Sequence, residues 1–303
     1  MPIYFASQSA SGCATLAPPR TIRILRATHL GMCFGVRDAI ALARREAAAG
    51  LLTVLGDLVH NETILADLRR RGVVIERDAA AVATPTVMIT AHGASRRAME
   101  QVRQRGLRVL EATCPLVRRA HDCLREWVAE GCHPVIVGQR FHVEVRGMVE
   151  DLDEFDVVLT ESDVMGLAER ARFGVVAQTT QPIERVKRLV ALMRARFPGA
   201  EVRFADTVCQ PTKLRQAAAA ELARQADVVV VIGSEQSNNT RELTATCRRF
   251  CGRVHQAQVP DDLQAAWLAD AATVGITAGT STPDAVIDAV ESRARELAER
   301  SER

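Results

Sequence analysis

Three stretches decide how this chain is read: RILRATHLGMCFGVRDAIALA at 23–43, LRVLEATCPLVRRAHDCLREW at 107–127 and VRFADTVCQPTKLRQAAAAEL at 202–222. In each, a β-like run gives way to a helical pattern, and a cysteine stands at the turn. Cys33, Cys114 and Cys209 are 81 and 95 residues apart, with no local Cys-x-x-Cys to join them. Equivalent turns in a repeated fold can converge in space. Three thiolates can then hold an iron–sulfur cluster and leave one iron without a protein ligand.

Working outward, short Val- and Ile-rich runs recur between amphipathic stretches: 22–25, 52–56, 86–91, 108–112, 134–138, 173–178, 202–206, 227–233 and 273–279. Runs of four to seven such residues suit strands buried on both faces of a parallel sheet. Stretches such as NETILADLRRRG and SRRAMEQVRQRG end in Gly, as helix C-termini do. The pattern is α/β with right-handed crossovers. The runs fall into three groups, 21–107, 108–200 and 201–303, each with an extra short β-like run (73–78, 157–163 and 254–262) and each opened by one cysteine turn. This order predicts three similar α/β subdomains in a pseudo-threefold arrangement around a central site. Residues 1–20, including Cys13, read as a flexible extension rather than a signal segment.

The bulk numbers exclude several classes. A formal net charge of +2 offers no global electrostatic case for nucleic acid. No apolar run is long enough to span a bilayer. Eight cysteines in 303 residues are too few for a disulfide scaffold and fit a reducing cytoplasm.

Ligands of open α/β sheets bind beyond the carboxyl ends of the strands. The first group places Cys33, His60 and His92 there. The second places Cys114, then His142 and Glu144, then Thr179 and Thr180. The third places Cys209, then Ser237, Asn238 and Asn239, then Ser281. Ser237–Thr240 and Thr280–Pro283 each precede a helical pattern, whose unpaired N–H groups favour an anion such as phosphate or diphosphate. There is no P-loop and no Gly-x-Gly-x-x-Gly turn after a strand, which argues against ATP or a dinucleotide. An extended segment would put His142 and Glu144 on one side, suited to a proton relay with Glu144 as acid. Cys123, Cys132, Cys247 and Cys251 read as structural, as do His29, His121, His133 and His255.

The set GMCFGVRDAI, LVHNETIL, TAHGAS, EATCPLV, HVEV, QTT, the Cys209 turn, SNNT and TAGTSTPD, in that order over roughly 22–298, resembles the LytB/IspH-type 4-hydroxy-3-methylbut-2-enyl diphosphate reductases. That resemblance implies one 4Fe–4S cluster on Cys33, Cys114 and Cys209 with an open iron for the substrate's hydroxyl oxygen. It implies a diphosphate held by His60, His92, Ser237, Asn239 and Ser281, with Asn238 standing where many members have Ser or Gly. Glu144, Thr179 and His142 would surround the leaving hydroxyl and deliver protons. The implied reaction takes two electrons, from ferredoxin or flavodoxin, and two protons. It gives isopentenyl and dimethylallyl diphosphates in the methylerythritol phosphate route. The first motif carries Met32 and Phe34 where Phe and a small residue are usual, and HVEV replaces HPEV. A cytoplasmic monomer or homodimer is expected. The competing readings are a quinolinate-synthase-like enzyme with three cysteine subdomains, a non-enzymatic cluster protein, and a zinc site on Cys and His.

Overall fold

The computed structural model describes residues 22–300, so the expectation for residues 1–20 and Cys13 lies outside the described residues. Each short apolar run forms a strand: β1 (Arg23–Arg26), β2 (Leu52–Leu55), β3 (Val74–Glu76), β4 (Thr86–Ile89), β5 (Arg108–Glu111), β6 (His133–Val137), β7 (Asp156–Val158), β8 (Arg172–Ala177), β9 (Glu201–Phe204), β10 (Val228–Ile232), β11 (Val254–Ala257) and β12 (Thr273–Ala278). They make three four-stranded sheets, ordered β3-β2-β4-β5, β7-β6-β8-β9 and β11-β10-β12-β1, with every pairing parallel. The order is the same in each, which makes them three copies of one architecture.

Linear grouping set each cysteine strand at the head of its own unit. Pairing sets it on the edge of the preceding sheet instead: β5 joins β4, β9 joins β8, and β1 closes the ring on β12. The helix after each cysteine packs on the next sheet. These helices are α1 (Phe34–Ala49), α4 (Pro115–Ala129) and α8 (Gln210–Gln225). Val36, Ala39, Ile40 and Ala43 of α1, for example, pack with Leu52 and Val54 of β2. Each cysteine therefore lies at a joint, with its strand in one unit and its helix in another. This topology brings the three turns together where the units meet.

The central strands are fully buried, as Val228–Ile232 illustrates, because helices cover both faces. The other helices are α2 (Glu62–Arg70), α3 (Arg96–Gln104), α5 (Val143–Val149), α6 (Glu161–Met165), α7 (Ile183–Arg196), α9 (Asn238–Arg248), α10 (Ala265–Leu268) and α11 (Asp284–Arg300). Among the described residues, no helix is long and apolar enough to cross a membrane.

Candidate active site

Cys33, Cys114 and Cys209 are the N-cap residues of α1, α4 and α8, and none spends its side chain on a capping hydrogen bond. The positive end of each helix favours a thiolate there. The three turns are tied down identically. The Cys33 N–H donates to Thr280 O (3.4 Å), the Cys114 N–H to Ala91 O (3.1 Å) and the Cys209 N–H to Thr179 O (3.0 Å). Each bond links a cysteine to the end of a central strand, beside Ser281, His92 or Thr179 itself.

All three thiols are free and partly exposed. Burial raises the Cys114 thiol above its ordinary value, and the charges of Cys33 and Glu144 push the same way. Burial also pushes Cys209 up to about 11, with the same two neighbours acting on it. These mutual effects mark one cluster of thiols beside one carboxyl. Arg215, buried on α8, donates to Gly31 O (2.9 Å) and Pro211 O (3.0 Å), bracing the Cys33 turn against the Cys209 helix. Its neighbouring negative groups are Cys33 and Cys209. Three free thiols at helix N-termini, Cys209 Sγ also 3.0 Å from the Thr212 hydroxyl, with a buried cation beside two of them, fit an anionic metal–sulfur group.

His142 and Glu144 are not in an extended segment. His142 is the N-cap of α5 and Glu144 lies in its first turn, where its N–H donates to His142 Nδ1 (3.2 Å). The side chains converge because the helix starts between them. Val143 takes the first helical position, where a proline would have announced the helix. Glu144 is buried, and its two carboxyl oxygens accept from the Thr179 N–H (2.6 Å) and Thr179 hydroxyl (3.0 Å). Burial raises its carboxyl to about 7 against the opposing effect of those two bonds.

His60, His92 and His142 form a nearly equilateral triangle of rings, with centroids 5.8, 5.7 and 5.6 Å apart. The His92 Nδ1 lies 3.2 Å from Asp57 O, which only accepts, so that nitrogen carries the proton. His142 Nδ1 accepts from Glu144, so its proton is on Nε2. Burial lowers all three, His92 to about 4 and His142 to about 2; His60 also lowers His92, and both rings lower His142. The free site therefore holds neutral imidazoles. Their ligand atoms lie within 4.8 Å of one another, close enough for a metal ion. The Nε2 proton of His142 makes that ring a donor toward the chamber rather than a ligand.

Beside this triangle lies a chamber of about 30 Å³ lined by His60, His92, His142, Ser237, Asn239 and Ser281, with Asn238 and Thr180 in its wall. Ser237 is the N-cap of α9, so Asn238, Asn239 and Thr240 belong to the first turn rather than preceding the helix. Asn239 Oδ1 accepts from the Thr280 N–H (3.1 Å), which joins the Ser237 and Thr280 turns. Its Nδ2, like His60 Nε2, is buried without a hydrogen-bond partner. Orphaned polar atoms around a small chamber suit an incoming anion. The Asn238 amide is already spent: its Oδ1 accepts from Gln139 Nε2 (2.7 Å) and its Nδ2 donates to Thr180 Oγ1 (2.9 Å). Sequence reading missed Gln139, Arg215 and Arg241, none of which carries a local signal.

The other cysteines and histidines lie elsewhere. Cys247 and Cys251 do not share a helix, since α9 ends at Arg248; Cys247 faces Ala219 O. His133 pairs with Asp156 (2.8 Å), and His255 stacks on Trp267.

The fold and this site define a class, a chain of three α/β units with three cysteine turns and a small polar chamber where the units meet. The profile of the LytB protein family matches residues 24–295, and the chain belongs to that family. A 4-hydroxy-3-methylbut-2-enyl diphosphate reductase of Pelobacter propionicus is 35% identical over 278 residues, 91% of this chain and 99% of that one. The Aquifex aeolicus protein of the same name is 34% identical over 284 residues, 92% and 98% of the two chains. A solved structure of (E)-4-hydroxy-3-methyl-but-2-enyl diphosphate reductase, the terminal enzyme of the non-mevalonate pathway, is 34% identical with a TM-score of 0.66 and covers 91% of this chain and 99% of that one. The Plasmodium falciparum reductase structure shares the fold with a TM-score of 0.82 at 24% identity, covering 88% and 86%.

Proposed function

We propose that this chain is a 4-hydroxy-3-methylbut-2-enyl diphosphate reductase, removing the allylic hydroxyl reductively to give isopentenyl and dimethylallyl diphosphates and water. The observation that carries this reading is the shared tethering of the cysteine turns to strand ends at Ala91, Thr179 and Thr280, each next to or at a site residue. Cys33, Cys114 and Cys209 are the residues that would hold a 4Fe–4S cluster, which supplies electrons and a Lewis-acidic iron when bound.

The rest of the chemistry belongs to this chain's own groups. His60 Nε2, Asn239 Nδ2 and the Ser237 and Ser281 hydroxyls face the chamber as partners for the diphosphate. Neutral His92, with its Nδ1 proton committed to Asp57, takes up a proton on Nε2 when the anion arrives, because a nearby negative charge favours the charged form. Glu144, its carboxyl near 7, is partly protonated at neutral pH. It passes its proton through the Thr179 hydroxyl, which turns from donor to acceptor as the carboxyl protonates. His142, fixed as the Nε2–H tautomer by the Glu144 N–H, orients the leaving hydroxyl. Closing the site around these groups strengthens each interaction. A non-enzymatic cluster protein has no use for a buried acid at Glu144.

The electron donor belongs with the reading as a ferredoxin or flavodoxin, and the setting as the cytoplasm, the chain acting as a monomer or homodimer. Iron analysis of anaerobically purified protein tests the cluster: four irons per chain are expected, falling sharply in Cys33→Ser, Cys114→Ser and Cys209→Ser. Protein that is iron-free and active refutes it.

A further inference from the structure

The chamber is small, about 30 Å³, whereas pockets that take small ligands run to about 300–1,000 Å³. The site must therefore widen to admit a diphosphate. Four bonds join the second and third units at its wall: Gln139 Nε2 to Asn238 Oδ1 (2.7 Å), Asn238 Nδ2 to Thr180 Oγ1 (2.9 Å) and to Thr180 O (3.4 Å), and Arg241 Nη2 to Gln139 Oε1 (2.7 Å). On the far side of this clasp lies a cleft of about 590 Å³, bounded by residues of all three units. It shares His60 and His142 with the chamber, and Gln139 and Arg241 line it. Gln139 thus stands between a large outer space and a small inner one.

The cleft carries four arginines. Arg77 is neutralised by Asp57 (2.9 Å) and Arg146 by Glu150 (3.1 Å). Arg140 lies over the Phe155 ring, and Arg241 otherwise donates to the backbone carbonyls of Glu235 and Gln236; neither forms an ion pair among the described residues. Arg140 has only the more distant Asp163 as a counter-charge, and a guanidinium without a close carboxylate in a concave space draws anions toward it.

Resting on the reductase reading, we propose that this cleft is the entry site for the anionic substrate and that Arg241 is its capture residue. A phosphate oxygen is a stronger acceptor for a guanidinium than the neutral amide of Gln139. An arriving diphosphate takes Arg241 from Gln139, the clasp to Asn238 loosens, and the anion passes to the histidine triangle. Arg241 acts before the chemistry, so its loss shows in kcat/KM rather than in kcat.

The test is anaerobic turnover of the allylic diphosphate by the holoenzyme across a range of ionic strength, beside calorimetric binding of inorganic pyrophosphate. Wild-type kcat/KM is expected to fall as salt rises. Arg241→Gln is expected to lower kcat/KM about fivefold or more at low salt, flatten its salt dependence, keep kcat within about twofold and weaken pyrophosphate binding. Arg241→Lys is expected to restore the salt dependence, which separates charge from folding. Wild-type kcat/KM, salt slope and pyrophosphate affinity in Arg241→Gln overturn the entry cleft alone. Absence of turnover in wild type overturns the reductase reading, and the pyrophosphate comparison then still decides for or against Arg241.

Discussion

Glu144 and Thr179 are joined twice: the carboxyl oxygens of Glu144 accept from the Thr179 backbone N–H at 2.6 Å and from its hydroxyl at 3.0 Å. Thr179 O in turn accepts from the Cys209 N–H at 3.0 Å. A single residue therefore ties the buried acid to a cysteine turn, and any proton leaving Glu144 has a hydroxyl waiting for it.

Glu144→Gln keeps the shape and the hydrogen-bond capacity but removes the proton. We expect unchanged iron content and a loss of turnover of roughly 10²–10⁴-fold. In wild type, activity falls as pH rises through about 7, where the carboxyl ionises. Single-turnover rates from pH 6 to 9 on both proteins check this, and full activity in Glu144→Gln contradicts the acid role.

The same carboxyl makes a stability prediction. Its pKa is raised on folding from 4.5 to about 7, so the stability it contributes is complete below 4.5 and is lost as pH rises to about 7. Glu144→Gln lacks this loss and gains on wild type by on the order of 3 kcal/mol between those limits. The buried histidines act in the other direction. With values lowered from 6.5, they stabilise the fold above 6.5, and that contribution is lost as pH falls toward 4 and below. Several histidines outweigh the single carboxyl below pH 6.5, so denaturation midpoints should rise from pH 4 to about 6.5 and then fall slightly toward 7. A steady fall from pH 4 to 6.5 contradicts the histidine assignments, and a rise from 6.5 to 7 contradicts that of Glu144.

Much of this was legible in the chain. Four- to seven-residue Val and Ile runs became strands, the central ones covered on both faces and β1, β5 and β9 partly exposed at sheet edges, and the cysteine turns became helix N-caps because each precedes a helical pattern. Sheet membership was not legible: β1 pairs with β12 across the length of the chain, and no local signal specifies that partner. The helix start at His142 was hidden by Val143, which replaces the proline that marks a first turn. The clasp of Gln139 with Asn238 and Arg241 joins residues about 100 positions apart, beyond any periodicity.

Gly279 packs against the start of α9. A Cβ there would lie 2.2 Å from Thr240 Oγ1, and one at Gly233 would lie 2.6 Å from the same atom. Gly279→Ala pushes the start of α9 away from the Thr280 turn, which Asn239 Oδ1 holds. We expect a cost of about 1–3 kcal/mol in stability and a clear rise in KM. Unchanged KM and melting temperature contradict this packing.

Arg215 braces two cysteine turns and sits among thiols rather than carboxylates. Arg215→Leu should speed iron release to a chelator, with Arg215→Lys intermediate. Cys247→Ser, on a thiol that faces Ala219 O, should leave iron content alone. Equal release rates in all of these variants contradict the brace.

The most direct test of the account is anaerobic reaction of cluster-loaded protein with 4-hydroxy-3-methylbut-2-enyl diphosphate and a reduced one-electron dye. Isopentenyl and dimethylallyl diphosphates are expected, with two dye equivalents oxidised per substrate consumed. Cluster-loaded protein that binds the diphosphate yet oxidises no dye and forms neither product contradicts it.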